Sequence, residues 1–119
     1  MNAPDACDLL ATAREVLLTQ LLPAMPGTLH YEARMVASAM LMASREIEQG
    51  PACIELERHV LAELLALPDP LELSLEQARG ELARQIRQGA FDPARLWPAL
   101  HKVNRAQLSI SNPKVLAHD

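Results

Sequence analysis

The sequence predicts an all-α fold, a bundle-like single domain of five helices with short connections marked by Pro and Gly. Three observations lead there. Half of the 119 residues are hydrophobic, and most of these are Leu, Ala and Met. The only aromatics are Tyr31, Phe91 and Trp97, which argues against a sandwich or barrel, since those folds favour β-branched and aromatic residues. Apolar residues recur at three- and four-residue spacing, and most Pro and Gly fall between the periodic segments. A chain of this length fits one domain, residues 1–119, around one core.

The first helix is expected over about residues 4–22, with Pro4 in its first turn. Leu10, Ala13, Leu17 and Leu21 form a core stripe widened by Leu9 and Val16, while Asp8, Thr12, Glu15 and Thr19 line the polar side. Pro23, Pro26 and Gly27 break the helix. The second is expected over about residues 29–49, with Thr28 as its N-cap. Residues 35–44 carry no charge, and Met35, Val36, Met40, Leu41 and Met42 point to several faces. A helix apolar nearly all round is buried on most sides, so this one is expected to be central.

Gly50-Pro51 should end it and start a third helix over about residues 52–67, with Leu56, Val60, Leu64 and Leu67 inward and Ile54, Leu61 and Leu65 beside them. Pro68-Asp69-Pro70 stops that helix. Ser74 and Gln77 have the spacing of a capping box for a fourth, over about residues 75–88. Its inner face is Leu75, Ala78, Leu82 and Ile86, and Gly89 suits the position just beyond its end. Asp92-Pro93 is a cap followed by a first-turn proline, so the fifth helix covers about residues 93–111 and should be kinked or delayed by Pro98. Asn112-Pro113 closes it, leaving a tail over residues 112–119.

Composition and motifs exclude several chemistries. There is no basic, apolar leader and no uncharged run long enough to span a bilayer, so a cytoplasmic location without membrane insertion is expected. Cys7 and Cys53 are too few for a disulfide framework and read as free, packed thiols. No dinucleotide or phosphate-loop glycine pattern, zinc-protease motif or nucleophile elbow occurs. Glu55 and His59, four apart, would supply two metal ligands at most and read as a solvated pair. No cofactor and no enzymatic activity is expected. Net charge is −4. Acidic residues outnumber basic ones twelve to four in residues 1–78, and basic outnumber acidic seven to three in residues 79–119. The basic end, with Arg79, Arg84, Arg87, Arg95, Lys102 and Arg105, lacks interleaved aromatics. It reads as pairing internally or with a protein, not with nucleic acid.

Two candidate sites stand out. His30, Tyr31 and Arg34 lie within little more than a turn at the head of the second helix. Arg34 needs a partner if buried; the candidates are carboxylates such as Glu32 or Glu46 and the carbonyls at the end of the fifth helix or the Asn112 side chain, and the last group is the one expected. The group reads as a structural network, with an anion pocket as the competing reading. Leu18 and Leu22 lie off the first helix's main stripe and are expected to mark a contact surface, for a homodimer or a protein partner.

The residues Asp8-Leu9-Leu10, Val16-Leu17, Leu22-Pro23 and Gly27, then Tyr31, Arg34-x-Val36-Ala37 and Arg45-Glu46, and finally Leu108-x-Ile110-x-Asn112-Pro113, resemble a small bacterial all-helical family of unknown function. Ser38 departs from its pattern, where Asn is frequent. Members are often encoded beside, or fused to, aminoglycoside-phosphotransferase-like kinases and acyl-CoA dehydrogenases, and the family supplies no catalytic residue. The resemblance therefore implies a non-catalytic accessory or protein-interaction domain, partner of a phosphotransferase-like enzyme linked to acyl-CoA metabolism. The alternative is a small-ligand-binding helical protein with a pocket between helices two and five, which a cavity lined by Met35, Met42 and Trp97 would mark.

Overall fold

The computed structural model describes residues 3–118. Among them there are four α-helices and no strand: α1 (Ala6–Val16), α2 (His30–Leu64), α3 (Leu75–Arg87) and α4 (Pro93–Ser111). The all-α expectation holds, and the count of five is corrected to four. Gly50-Pro51 does not end a helix. It lies inside α2, which runs unbroken for 35 residues.

The reason is local. Pro51 has no N–H to give the Ile47 carbonyl, a loss that costs about 3 kcal/mol in an ordinary helix interior. Part of the usual penalty comes from the clash of the proline ring with the preceding residue's β-carbon, and Gly50 has none. Glycine thus lets the helix tolerate the proline that follows it.

The chain divides into two compact units, Met1–Gly50 and Pro51–Asp119. In the first, α1 packs antiparallel to the N-terminal half of α2. Arg14 Nε donates to the Ala37 carbonyl at 3.2 Å, and the Cys7 thiol donates to the Ser44 carbonyl at 3.7 Å. Seven residues up α1 correspond to seven down α2. Asp5 and Asp8 form a reciprocal capping box at the start of α1. Its end passes into a π-helical turn, Leu17–Leu21, and then a 3₁₀ turn, Leu22–Ala24. Thr19 Oγ1 donates to the Glu15 carbonyl at 2.7 Å, and Pro23 has no N–H for the Thr19 carbonyl, so the α-helical ladder is perturbed at both ends of this turn. Thr28 lies within a further 3₁₀ turn, Gly27–Leu29, that leads straight into α2.

In the second unit, the C-terminal half of α2 packs with α3 and α4. Val60, Leu61, Leu64, Ala78 and Leu82 form the buried cluster, enclosed by Leu56, Leu73, Phe91, Leu96 and Leu100 among others. Ser74 and Gln77 form the expected capping box. Asp92 Oδ1 accepts the Ala94 N–H at 3.0 Å, and α4 starts at Pro93 and runs through Pro98 without delay. The tail is helical too, a 3₁₀ segment over Pro113–His118.

Both α2 and α3 end in the same motif. Leu67 N–H reaches back to the Ala62 carbonyl and Ala66 N–H to that of Glu63. Ala90 N–H and Gly89 N–H do the same with Gln85 and Ile86. The left-handed residue is Gly89 in one case, with φ 72°, and Ala66 in the other, with φ 56°.

Candidate functional site

The most distinctive surface of the first unit lies on α2. Tyr31, Arg34, Met35, Ser38, Ala39 and Met42 line an open groove of about 490 Å³. Their spacing of three, four and seven residues puts them on one helical face. Tyr31 is 71% exposed, Met35 54% and Met42 42%. Arg34 is the one charged residue in the lining. The opposite face of α2 carries Ala33 and Ala37, the buried hydrophobic residues of this unit.

This differs from the expectation of a helix buried on most sides. Within its unit, the apolar stretch of α2 has one long helical neighbour, α1, and one neighbour covers one face. The groove has the chemistry of a contact surface: two flexible thioether side chains, a phenol ring and small residues between them, with a guanidinium at the edge.

The sequence-derived candidates fall as follows. Tyr31 and Arg34 share the groove. His30 does not join them, because its Nε2–H donates to the Met25 carbonyl at 3.0 Å and ties the start of α2 to the preceding linker. Asn112 lies in the second unit as the C-cap of α4, its backbone N–H donating to the Leu108 carbonyl at 2.8 Å. Leu18 and Leu22 are half-buried, whereas Leu9 and Leu21 are 59% and 51% exposed. The π-helical turn accounts for Leu21 and Leu22, because its five-residue hydrogen bond brings Leu22 and not Leu21 into line with Leu17.

The thiols are packed groups. Partial burial and the neighbouring Glu48 and Asp5 carboxylates push the Cys7 thiol up from its ordinary value, against the hydrogen bond to Ser44. Cys53 Sγ donates to the Ala106 carbonyl at 3.3 Å, linking α2 to α4 within the second unit. His59 Nδ1–H donates to the Glu55 backbone carbonyl at 2.8 Å, so this pair is not arranged through the Glu55 carboxylate. Among the described residues, no group of three or more His, Cys, Asp or Glu side chains is placed to hold a metal ion.

At the basic end, Arg79 and Arg84 are paired internally. Arg79 grips Glu57 with both ends of its fork, Nε to Oε1 at 2.6 Å and a terminal nitrogen to Oε2 at 2.7 Å. Arg84 pairs in the same two-pronged way with Glu81, which also accepts from Gln85. Those hydrogen bonds hold the Glu81 carboxyl down at about 2. Glu57, 7% exposed, is the buried charged residue of the structure. Sequence reading passed over it, although a signal was there. Cys53, Glu57, Val60 and Leu64 follow one helical stripe, and a carboxylate among apolar residues on such a stripe calls for a cation.

A family model described as a domain of unknown function (DUF6285) matches residues 23–115. The chain belongs to that family. The DUF6285 match takes in all of α2, α3 and α4 and therefore the whole groove face, while α1 lies outside it. Of the segments that carried the resemblance, those from Pro23 and Gly27 through Tyr31 to Arg45-Glu46 and from Leu108 to Pro113 fall inside. No curated protein and no solved structure matches the chain significantly. No helix among the described residues is long and apolar enough to cross a membrane.

Proposed function

We propose that this DUF6285 chain is a non-catalytic accessory domain that acts by binding another protein, through the groove face of α2 in its first unit. The observation behind this reading is an imbalance of burial. The hydrophobic residues that the first unit buries are two alanines, while Tyr31, Met35 and Met42 on the groove face of α2 stay between 42% and 71% exposed. An exposed run of large apolar side chains is the usual mark of an interaction surface. Methionines suit it, because they repack against a partner's contours at little cost. The partner class is the one the family resemblance implies, a phosphotransferase-like enzyme linked to acyl-CoA metabolism.

The test is a titration of this 119-residue chain against a purified phosphotransferase-like kinase, followed by calorimetry and by co-elution on gel filtration. A saturable complex is expected. Met35→Glu places a charge in the groove and should abolish the complex while leaving the helical circular dichroism intact. A complex untouched by Met35→Glu would remove the groove from the reading, and absence of any complex would remove the partner.

A further inference from the structure

The second unit contains a cleft of about 280 Å³ between the C-terminal half of α2 and the N-terminal half of α4. Val60, Glu63 and Leu64 form one wall, and Arg95, Pro98, Ala99 and Lys102 the other. Each set lies on one helical face, at three-, four- and seven-residue spacing. The small side chains opposite α2 explain the space: the Pro98 ring and the Ala99 methyl are too short to fill what a Leu or Met would occupy.

The floor is apolar, with Val60 8% and Leu64 6% exposed. The rim is charged and unbalanced, with two cations and one carboxylate. Arg95 donates from a terminal nitrogen to the Glu63 backbone carbonyl at 3.1 Å, not to its carboxylate. That bond fixes the guanidinium at the rim and leaves its charge without an acidic partner among the described residues. Lys102 lies two turns further along α4, roughly 10 Å away along the axis, and also has no ion pair among the described residues.

We propose that this cleft binds a small amphipathic anion, a carboxylate or phosphate monoester head on a short alkyl tail. The tail covers Val60, Leu64 and Ala99 and releases water from them. The head lies against Lys102 or Arg95, where a charge-assisted hydrogen bond replaces solvent. The cleft is just below the usual volume for drug-sized ligands, so it suits a smaller molecule. This site is independent of the groove in the first unit and does not rest on the proposed protein partner.

The experiment is a methyl-detected NMR titration of the full-length protein with hexanoate. Parallel titrations use hexyl phosphate, acetate, hexanol and hexylamine. Hexanoate or hexyl phosphate should shift the methyl signals of Val60, Leu64 and Ala99 saturably, and the tighter of the two identifies the head group. Hexylamine and acetate should produce no saturable shift, and hexanol should bind more weakly than the anions. Lys102→Gln or Arg95→Gln should weaken the anion roughly threefold to fivefold, the size of one exposed charge contact. Lys102→Gln should leave thermal unfolding unchanged. Three results would each overturn the assignment: no saturable shift at these methyls with either anion, binding of hexylamine or acetate as tight as hexanoate, or no loss of anion affinity in either variant.

Discussion

The matched ends of α2 and α3 allow a stability prediction in which the molecule supplies its own control. Both helices close with the same pair of backbone hydrogen bonds, and both need one residue in the left-handed region. At Gly89 that requirement meets glycine, and at Ala66 it meets a side chain. Holding a non-glycine residue there costs roughly 1–2 kcal/mol. Replacing alanine by glycine also loosens the unfolded chain, which gives back about 0.4–1 kcal/mol. Ala66 is exposed, so removal of its methyl leaves no cavity. Ala66→Gly should therefore stabilise the protein by a net ~0.5–1 kcal/mol. Gly89→Ala should destabilise it by a similar amount, because a β-carbon there meets nothing within 4 Å and the penalty is purely one of backbone dihedral. The double variant should return close to the starting stability. Urea unfolding followed by circular dichroism gives the midpoints, with the slope checked for constancy. If Ala66→Gly lowers the midpoint, or if Gly89→Ala raises it, the shared-motif argument is wrong.

Three further predictions follow from side-chain geometry. Arg79→Met leaves the buried Glu57 carboxylate without its cation and should destabilise the second unit by about 1–3 kcal/mol; the double variant Glu57→Leu, Arg79→Leu should recover much of that in the same denaturation assay. The Glu81 carboxyl, held down at about 2 by Arg84 and Gln85, should titrate in that region by NMR, and Arg84→Gln should move its midpoint up toward 4.5, its ordinary value. Because this folded-state value is depressed, the stability contributed by Glu81 is present above about 4.5 and fades as pH falls toward 2. Ser74→Ala removes the acceptor of the Gln77 N–H and should cost about 1 kcal/mol, measured by the shift in unfolding midpoint.

What could be read from the sequence was whatever is decided over a few residues. The Ser74–Gln77 box, the Asp92-Pro93 start and the Gly89 finish each depend on one side chain or one dihedral meeting a backbone group three or four positions away. Their chemistry is therefore complete within the local string. Gly50-Pro51 is local as well, but there two local effects oppose each other. Proline removes a helical hydrogen bond, while the glycine before it removes part of the steric reason for the helix to stop. With the glycine in place the helix continues through the dipeptide. At Leu17–Leu21 a single hydroxyl bond from Thr19 and the missing N–H of Pro23 change the helical phase. That is enough to place Leu21 outside and Leu22 partly inside.

The groove illustrates a different limit. The apolar run from Met35 to Met42 states which side chains gain by leaving water, but not what is present to cover them. Small residues at Ala33 and Ala37 let α1 approach one face closely, and Arg14 reaches across to the Ala37 carbonyl there. The same choice of small residues directs the bulky ones to the other face, since a helix that presents alanine to its neighbour must place methionine and tyrosine elsewhere. Hydrophobicity around the whole helix is thus resolved into two surfaces with different roles, a close-packed one made of methyl groups and an open one made of long, adaptable side chains. The charge at Arg34 sits on the edge of the open surface, where it can stay hydrated when free and meet a carboxylate when covered. That combination makes Met35→Glu the discriminating variant: it changes the open surface alone, leaves the α1 contact in place, and so separates the loss of a partner from the loss of the fold.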